Sequence, residues 1–314
     1  MDGADAASVD ADFAEAVLAG LGAERKYLLS KHLYDAEGSA LFDRITELED
    51  YYPTRTEAAI LRASAARLAE HLPPGAALVE PGAGSGEKTR ILLDALPGLG
   101  AYAPVDISGE HLEAAAARLR ADYPDLPVHA VVADFASRFA LPEAVAGMPA
   151  VVFFPGSTIG NFTKPAARDL LAAFRAIPGV AGLVIGVDLP KDPARLVRAY
   201  DDGEGVTAAF NLNLLARINR ELAGDFDLEA FAHEARWNAD ESRIEMHLRS
   251  LRRQRVRVLG RTFDFADGET IHTENSHKFP VDGFRAIAAS AGWAPVDLWL
   301  DPERLFSVHV FAPH

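Results

Sequence analysis

The sequence predicts an α/β protein, a doubly wound parallel sheet whose last strand is reversed, joined to a second α+β lobe. Three observations carry this. Five short apolar runs alternate with helical stretches between residues 76 and 189; the alternation then stops; and a helix followed by a hairpin closes the chain. Near-continuous apolar strands separated by helices imply a sheet covered on both faces.

The elements follow in order. The first 12 or so residues are acidic, carry no apolar run, are expected to be disordered, and do not read as a signal peptide. From Asp12 to about Leu72 the spacing is helical with interruptions. Pro53 marks one, and Thr54 with Glu57 forms a capping box opening a helix to about His71. The strand runs are AALVEPG, AYAPVDIS, VHAVVADF, AVVFFPGS and AGLVIGVDLP, with helices over 87–96, 109–122 and 164–177 between them. Residues 194 to about 237 read as mostly helical. Ile244, Met246 and Leu248 then alternate with Glu245, His247 and Arg249, the period of a half-buried strand. Further strand-like stretches are 256–258, 263–265 and 271–279, before a helix over 281–291. PVDLWL and LFSVHVFA, separated by Asp301-Pro302-Glu303-Arg304, read as an antiparallel hairpin. The expected division is one domain from 60–196 and 284–314, and a second lobe from 1–59 and 197–283.

Composition bounds the chemistry. The 314 residues are 49% hydrophobic and 25% charged, an ordinary globular balance. Cysteine is absent, which removes disulfides, thiolate zinc sites, iron–sulfur clusters and cysteine nucleophiles. The net charge of −15 repels a polyanion, so nucleic acid is not expected as a partner. No apolar stretch approaches the roughly 18 residues that span a bilayer. The expectation is a soluble, cytoplasmic, monomeric protein with a small-molecule substrate.

The first strand ends in Glu80-Pro81-Gly82-Ala83-Gly84-Ser85-Gly86 and runs into a helix. Glycines there let a ligand approach the backbone closely at a helix N-terminus. Counting from Gly82, the sixth position is Glu87, so the dinucleotide pattern G-x-G-x-x-G fails. E-x-G-x-G-x-G instead resembles the nucleoside-binding motif of class I (Rossmann-like) S-adenosylmethionine methyltransferases, and the reversed closing hairpin is a further feature of that class. Asp106 ends the second strand, where a carboxylate can accept both ribose hydroxyls. Asp134 and Phe135 end the third, offering a carboxylate for the adenine amino group and a ring for its face. Both aspartates could instead cap helices. Lys88, in a first helical turn, could reach the methionyl carboxylate of the cofactor or be an ordinary solvated lysine. S-adenosylmethionine is the expected cofactor.

Five longer strings narrow the reading: YDAEGSALF from Tyr34, YYPTRTE from Tyr51, FPGSTIGNF from Phe154, RIEMHL from Arg243 and TENSHKF from Thr273. Together they resemble the L-histidine Nα-methyltransferase family, the hercynine-forming enzymes of ergothioneine biosynthesis, over residues 25–314. The resemblance implies a methyltransferase domain plus a family-specific lobe, with L-histidine bound between them and its α-amine methylated three times. It implies that Asn161 and Tyr200 hold the amino acid's backbone end, with Tyr51, Glu274 and Ser276 around the imidazole. Met246 would line the ring pocket, and Tyr34, Phe42 and Gly156 would lie near the reacting end. Tyr34 and Asn161 are the residues expected at the chemistry.

Read without the family, these positions admit plainer roles. Asn161 could cap the helix at Lys164; Tyr34, Tyr51 and Tyr52 could be core residues; Glu274 and Ser276, two apart on one strand face, could be a solvated pair. His272, Glu274 and His277 do not share a face, and no metal site is expected. The arginines at 249, 252, 253, 255, 257 and 261 read as a solvated face balancing nearby acids. Ser157 does not fit a G-x-S-x-G elbow, so no hydrolase triad is expected. A methyltransferase for another amino acid such as tryptophan, or a non-catalytic cofactor-binding protein, remains open at this level.

Overall fold

The computed structural model describes residues 10–84, 86–136 and 139–314, with the backbone alone at 110 and 111. The expectations for residues 1–9 lie outside the described residues. Residues 10–12 are not disordered as expected: Asp10 accepts from the N–H groups of Asp12 and Phe13 and caps α1 (Ala11–Gly22), which buries Phe13, Val17 and Leu21. Asp35 caps α2 (Ala36–Glu47) through the Gly38 N–H. Helix α3 (Tyr52–Leu68) begins ahead of the expected capping box, with Pro53 in its first turn, where a missing N–H costs nothing. Glu57 therefore caps nothing and is fully buried.

Strand–helix alternation follows: β1 (Ala77–Pro81), α4 (Glu87–Ala95), β2 (Ala101–Asp106), α5 (Gly109–Asp122), β3 (Val131–Val132), β4 (Ala150–Phe154), α6 (Lys164–Arg175) and β5 (Val180–Asp188). Then come α7 (Pro193–Tyr200), α8 (Val206–Glu221), β6 (Phe231–Asn238), β7 (Arg243–Ser250), β8 (Gln254–Val258), β9 (Arg261–Phe265) and β10 (Thr270–His277). The chain closes with α9 (Val281–Ser290), β11 (Trp293–Leu300) and β12 (Phe306–Pro313).

The chain divides into two compact units, 52–191 with 276–314 and 1–51 with 192–275. The expected boundaries at 59/60, 196/197 and 283/284 each fall several residues late, the first inside the continuous helix α3.

The 52–191 unit holds a seven-stranded sheet in the order β11-β12-β5-β4-β1-β2-β3. Strands β1 to β5 run parallel, and β12 lies antiparallel to both β5 and β11. This is the class I methyltransferase order with its reversed strand. Neighbouring strand residues point to opposite faces, and two cores result. Val79, Phe154, Ile185 and Phe311 pack with Leu171 and Phe284 on one face. Leu78, Phe153, Val184 and Val310 pack with Leu61 and Leu92 on the other. The expected strand VHAVVADF shrinks to the two residues of β3, because it is the sheet edge: Val128 makes a single bridge to Tyr102, and Val132 is 64% exposed.

The 1–51 and 192–275 unit holds a three-stranded sheet, β10-β7-β6, and the β8–β9 hairpin, with α1, α2, α7 and α8. Residues 231–237, expected to be helical, form β6, antiparallel to β7. The reason is visible in the side chains: the buried apolar residues Phe231 and Ala235 are four apart, a helical spacing, while the residues between them are half-exposed. Among the described residues, no helix is long and apolar enough to cross a membrane.

Candidate active site

The glycine turn after β1 has the geometry its composition requires. Gly82 has φ 70° and Gly86 φ 83°, a left-handed backbone that strains any residue with a Cβ. A Cβ on Gly82 would stand 3.2 Å from Cε1 of Phe135, so that ring lies over the turn, whereas a Cβ on Gly84 would meet nothing within 4 Å. The turn thus offers bare backbone at the carboxyl edge of the sheet and the N-terminus of α4, which fits a nucleoside cofactor. Asp106 closes β2 and its Oδ1 accepts from the Ser108 N–H at 2.9 Å; Asp134 Oδ1 accepts from the Ala136 N–H at 2.9 Å. Neither is a helix cap: Ser108 holds that position for α5, and the next α-helix after Asp134 is α6, capped by Thr163.

Beneath the turn, Glu80 is buried and accepts from Thr89 Oγ1 and the Tyr102 hydroxyl, both at 2.6 Å. Burial pushes its carboxyl up to about 7, against the opposing pull of those hydrogen bonds and of the Lys88 charge. Lys88 is neither solvated nor unpaired. Its Nζ lies 2.7 Å from Oε2 of Glu57, which also accepts from the Gly156 N–H at 2.8 Å. One buried carboxylate therefore ties α3 to the first turn of α4 and to the loop after β4. Oε1 of the same carboxylate occupies the space a side chain at 186 would need, which explains the glycine there.

The loop after β4 is backbone-strained. Gly156 (φ 80°) is followed by Ser157 (φ 55°), a buried non-glycine residue in the left-handed region. Ser157 Oγ accepts from the Asp188 N–H at 2.9 Å and anchors it. Asn161 ends the short 3-10 turn Thr158–Asn161, and with Thr163 capping α6 the capping alternative for Asn161 does not hold. His277 donates from Nδ1 to the Gly160 carbonyl at 2.8 Å, which holds it to the loop.

At the far end of β5 lies a buried charge cluster. Asp188 Oδ1 meets Lys191 Nζ at 2.5 Å; Oδ2 meets Lys278 Nζ and the Tyr52 hydroxyl, each at 2.7 Å. Burial raises the Asp188 carboxyl, but the charges of Lys278 and Lys191 outweigh it and hold it below the usual carboxylate range. Lys278 also donates to Ser276 Oγ at 2.6 Å.

In the other unit, an aromatic group forms, with Glu274 near Tyr34. Tyr34 packs edge-on against Phe42 and Phe210, each with ring centroids 5.4 Å apart; Phe42 meets Tyr51 at 6.2 Å, and Tyr51 meets Tyr200 at 6.0 Å. Burial first, then the negative charge of Glu274, then Tyr51 and Tyr200 raise the Tyr34 hydroxyl well above its ordinary value. Glu274 is 8% exposed and Ser276 4%, so the solvated-pair alternative fails. Met246 is buried on β7, and its carbonyl accepts from Thr273 Oγ1.

Glu245, His247 and His272 bring their ligand atoms within 4.8 Å of one another, a trio different from the one weighed in the sequence. Glu245 is already engaged: it accepts from Arg243 and Asn238, and its carboxyl falls to about 2, those hydrogen bonds overcoming the effect of burial. Within the arginine run, Arg252 pairs with Asp227, Arg255 with Asp264 and Arg257 with Asp225.

Residues 13–313 match the family described as histidine-specific, S-adenosylmethionine-dependent methyltransferases. The chain belongs to this family. Two bacterial relatives match most of its length. It is 48% identical over 300 residues to the histidine N-alpha-methyltransferase of Mycolicibacterium smegmatis, covering 93% of this chain and 92% of that protein. It is 46% identical over 303 residues to the protein of the same name in Mycobacterium tuberculosis, covering 94% and 93%. Ergothioneine biosynthesis protein 1 of Neurospora crassa is 36% identical over 200 residues, 62% of this chain and 22% of that protein.

The structure of this methyltransferase adds residues that the sequence did not single out for the site. Phe210 completes the aromatic group, Glu57 anchors Lys88 and Gly156, and Asp188, Lys191 and Lys278 form the buried cluster. A signal existed for two of them: Glu57 sits within YYPTRTE and Lys278 within TENSHKF. Asp188 and Lys191 carried none.

Proposed function

We propose that this methyltransferase transfers methyl groups from S-adenosylmethionine to the α-amine of L-histidine, three times, giving hercynine, as in ergothioneine biosynthesis. The observation that carries the reading is Glu274, a buried carboxylate close enough to Tyr34 for its charge to raise that hydroxyl. A buried carboxylate accepts an imidazole N–H, and the names of the relatives point to the same substrate.

In this proposal Tyr51, Glu274 and Ser276 recognise the imidazole and Met246 lines its pocket. Asn161 and Tyr200 hold the amino-acid backbone, and Tyr34, Phe42 and Gly156 lie near the reacting amine. Gly82, Gly84, Gly86 and Lys88 receive the methionyl end of the cofactor, Asp106 its ribose, and Asp134 with Phe135 its adenine. When bound, S-adenosylmethionine supplies an electrophilic methyl group on a sulfonium. The chain's own task is to orient a neutral amine and exclude water. Tyr34, whose hydroxyl stays protonated at physiological pH, can accept a hydrogen bond from the ammonium and pass its proton on without acting as a strong base. The trimethylated product has no N–H left, so recognition rests on the carboxylate and the imidazole. A monomer acting in the cytoplasm belongs to the same proposal, and sedimentation of the pure protein tests the first part.

The test is competition among free amino acids. Methyl transfer should go to histidine in the presence of equal tryptophan, tyrosine and phenylalanine; preferential labelling of any other amino acid rejects the substrate assignment.

A further inference from the structure

Tyr200 is the last residue of α7, and Asp201 after it leaves the helical conformation with φ −149° and ψ 70°. A carbonyl at that position has no partner within the helix. His233, on β6, supplies one: its Nε2–H donates to the Tyr200 carbonyl at 2.7 Å. The peptide plane from which the Tyr200 side chain departs is thus held by a strand, while Tyr51 packs edge-on against the ring.

The imidazole is itself steered. Asn211 Nδ2, from α8, donates to His233 Nδ1 at 2.9 Å and to the His247 carbonyl on β7 at 3.2 Å. A carbonyl only accepts, so that contact fixes the amine end of the asparagine, and Nδ1 must be the unprotonated ring nitrogen. The Tyr200 carbonyl requires the proton on Nε2, and the two demands agree. Burial lowers the ring's pKa from its ordinary value, against the opposing pull of the Tyr200 carbonyl and of Asp201, Asp202 and Glu234, and keeps it neutral. The arrangement has a standing cost: Asn211 is fully buried, and its Oδ1 has no hydrogen-bond partner among the described residues. Water or a surface cation could satisfy a helix end without that cost, but could not give it a fixed direction.

We propose that His233 is a positioning residue for Tyr200: locked by Asn211 as the Nε2–H tautomer, it holds the end of α7 so that the Tyr200 hydroxyl meets the backbone end of the amino acid. The inference rests on the assignment of Tyr200 to that end given above.

A double-mutant cycle on the intact enzyme tests it, with His233→Asn, Tyr200→Phe and the pair, reading kcat and the KM values for histidine and S-adenosylmethionine. Asparagine is too short to reach the Tyr200 carbonyl, so His233→Asn should raise the histidine KM about 3- to 10-fold, as expected for loss of one neutral hydrogen bond. Both kcat and the cofactor KM should stay within about twofold, and the same change made in Tyr200→Phe should add little. His233→Gln places a donor near the former Nε2 and should return the histidine KM to within about twofold of the parent, a rescue that a packing role would not show. Nitrogen NMR spectra give an independent readout: the ring signals absent from His233→Gln should show the proton on Nε2. An unchanged histidine KM in His233→Asn, equal rises with and without the Tyr200 hydroxyl, no rescue by glutamine, or a proton on Nδ1 would overturn the role of His233 alone. An unchanged histidine KM in Tyr200→Phe would overturn the assignment of Tyr200, and the proposal with it. Should His233→Asn fail to fold, Asn211→Ala takes its place: it frees the ring and should raise the histidine KM only where the Tyr200 hydroxyl is present, and a rise in both backgrounds, or in neither, would overturn the proposal.

Discussion

Glu80 shows how a single side chain couples the glycine turn to pH. Its carboxyl is raised from 4.5 to about 7 by burial, so the folded protein holds this proton more tightly than the unfolded chain. The stability this contributes is fully present below the unfolded value and is lost as pH rises through the folded one. At about 1.4 kcal/mol per unit, the loss amounts to about 3 kcal/mol across the window. Glu80→Gln mimics the protonated form, so the melting temperature of the variant relative to the parent should rise between about pH 5 and about pH 8. Curves that stay parallel would reject the shift. His247, lowered to about 4 chiefly by burial, works in the opposite sense, losing stability as pH falls below its unfolded value. The difference between variant and parent, not the parent curve, is therefore the quantity to read. At the rim of the same turn, Asp106→Ala should weaken S-adenosylmethionine binding by about 10- to 150-fold, or about 1.5–3 kcal/mol. Unchanged affinity by calorimetry in a folded variant would reject the ribose assignment.

At the scale of elements, the sequence was most legible where local chemistry decides structure. Gly82 and Gly86 announce a turn because only glycine sits comfortably at their backbone angles, and Asp106 and Asp134 stand at strand ends that apolar runs define. It was least legible where distant pairing decides. Strand β6 carries a helical spacing in Phe231 and Ala235 and becomes a strand because β7 pairs with its whole length. Glu57 reads as a capping residue until Lys88 and Gly156 arrive from other elements, and Tyr52 meets Asp188 across 136 positions of chain. The loop after β4 yields a test that separates support from recognition. Because Thr163 and not Asn161 caps α6, Asn161→Ala should raise the histidine KM while leaving the melting temperature and the cofactor affinity nearly unchanged. A lowered melting temperature with equal losses for both ligands would return Asn161 to a structural role.

For the whole molecule, each unit is built from two chain segments, and the chain passes from one unit to the other after Tyr51, Lys191 and Asn275. The strand–helix alternation breaks off near residue 190, where the chain leaves the unit that holds the seven-stranded sheet. What composition and periodicity did not contain was the substrate, which came from long strings such as FPGSTIGNF and from Glu274 near Tyr34.

The central claim is repeated methyl transfer to the α-amine of histidine, and mass spectrometry of histidine incubated with the protein and S-adenosylmethionine tests it most directly. The account predicts products carrying one, two and finally three added methyl groups, all on the α-nitrogen, with the trimethylated species accumulating and the imidazole unmodified. Histidine recovered unchanged, or methylated on its ring, would contradict it.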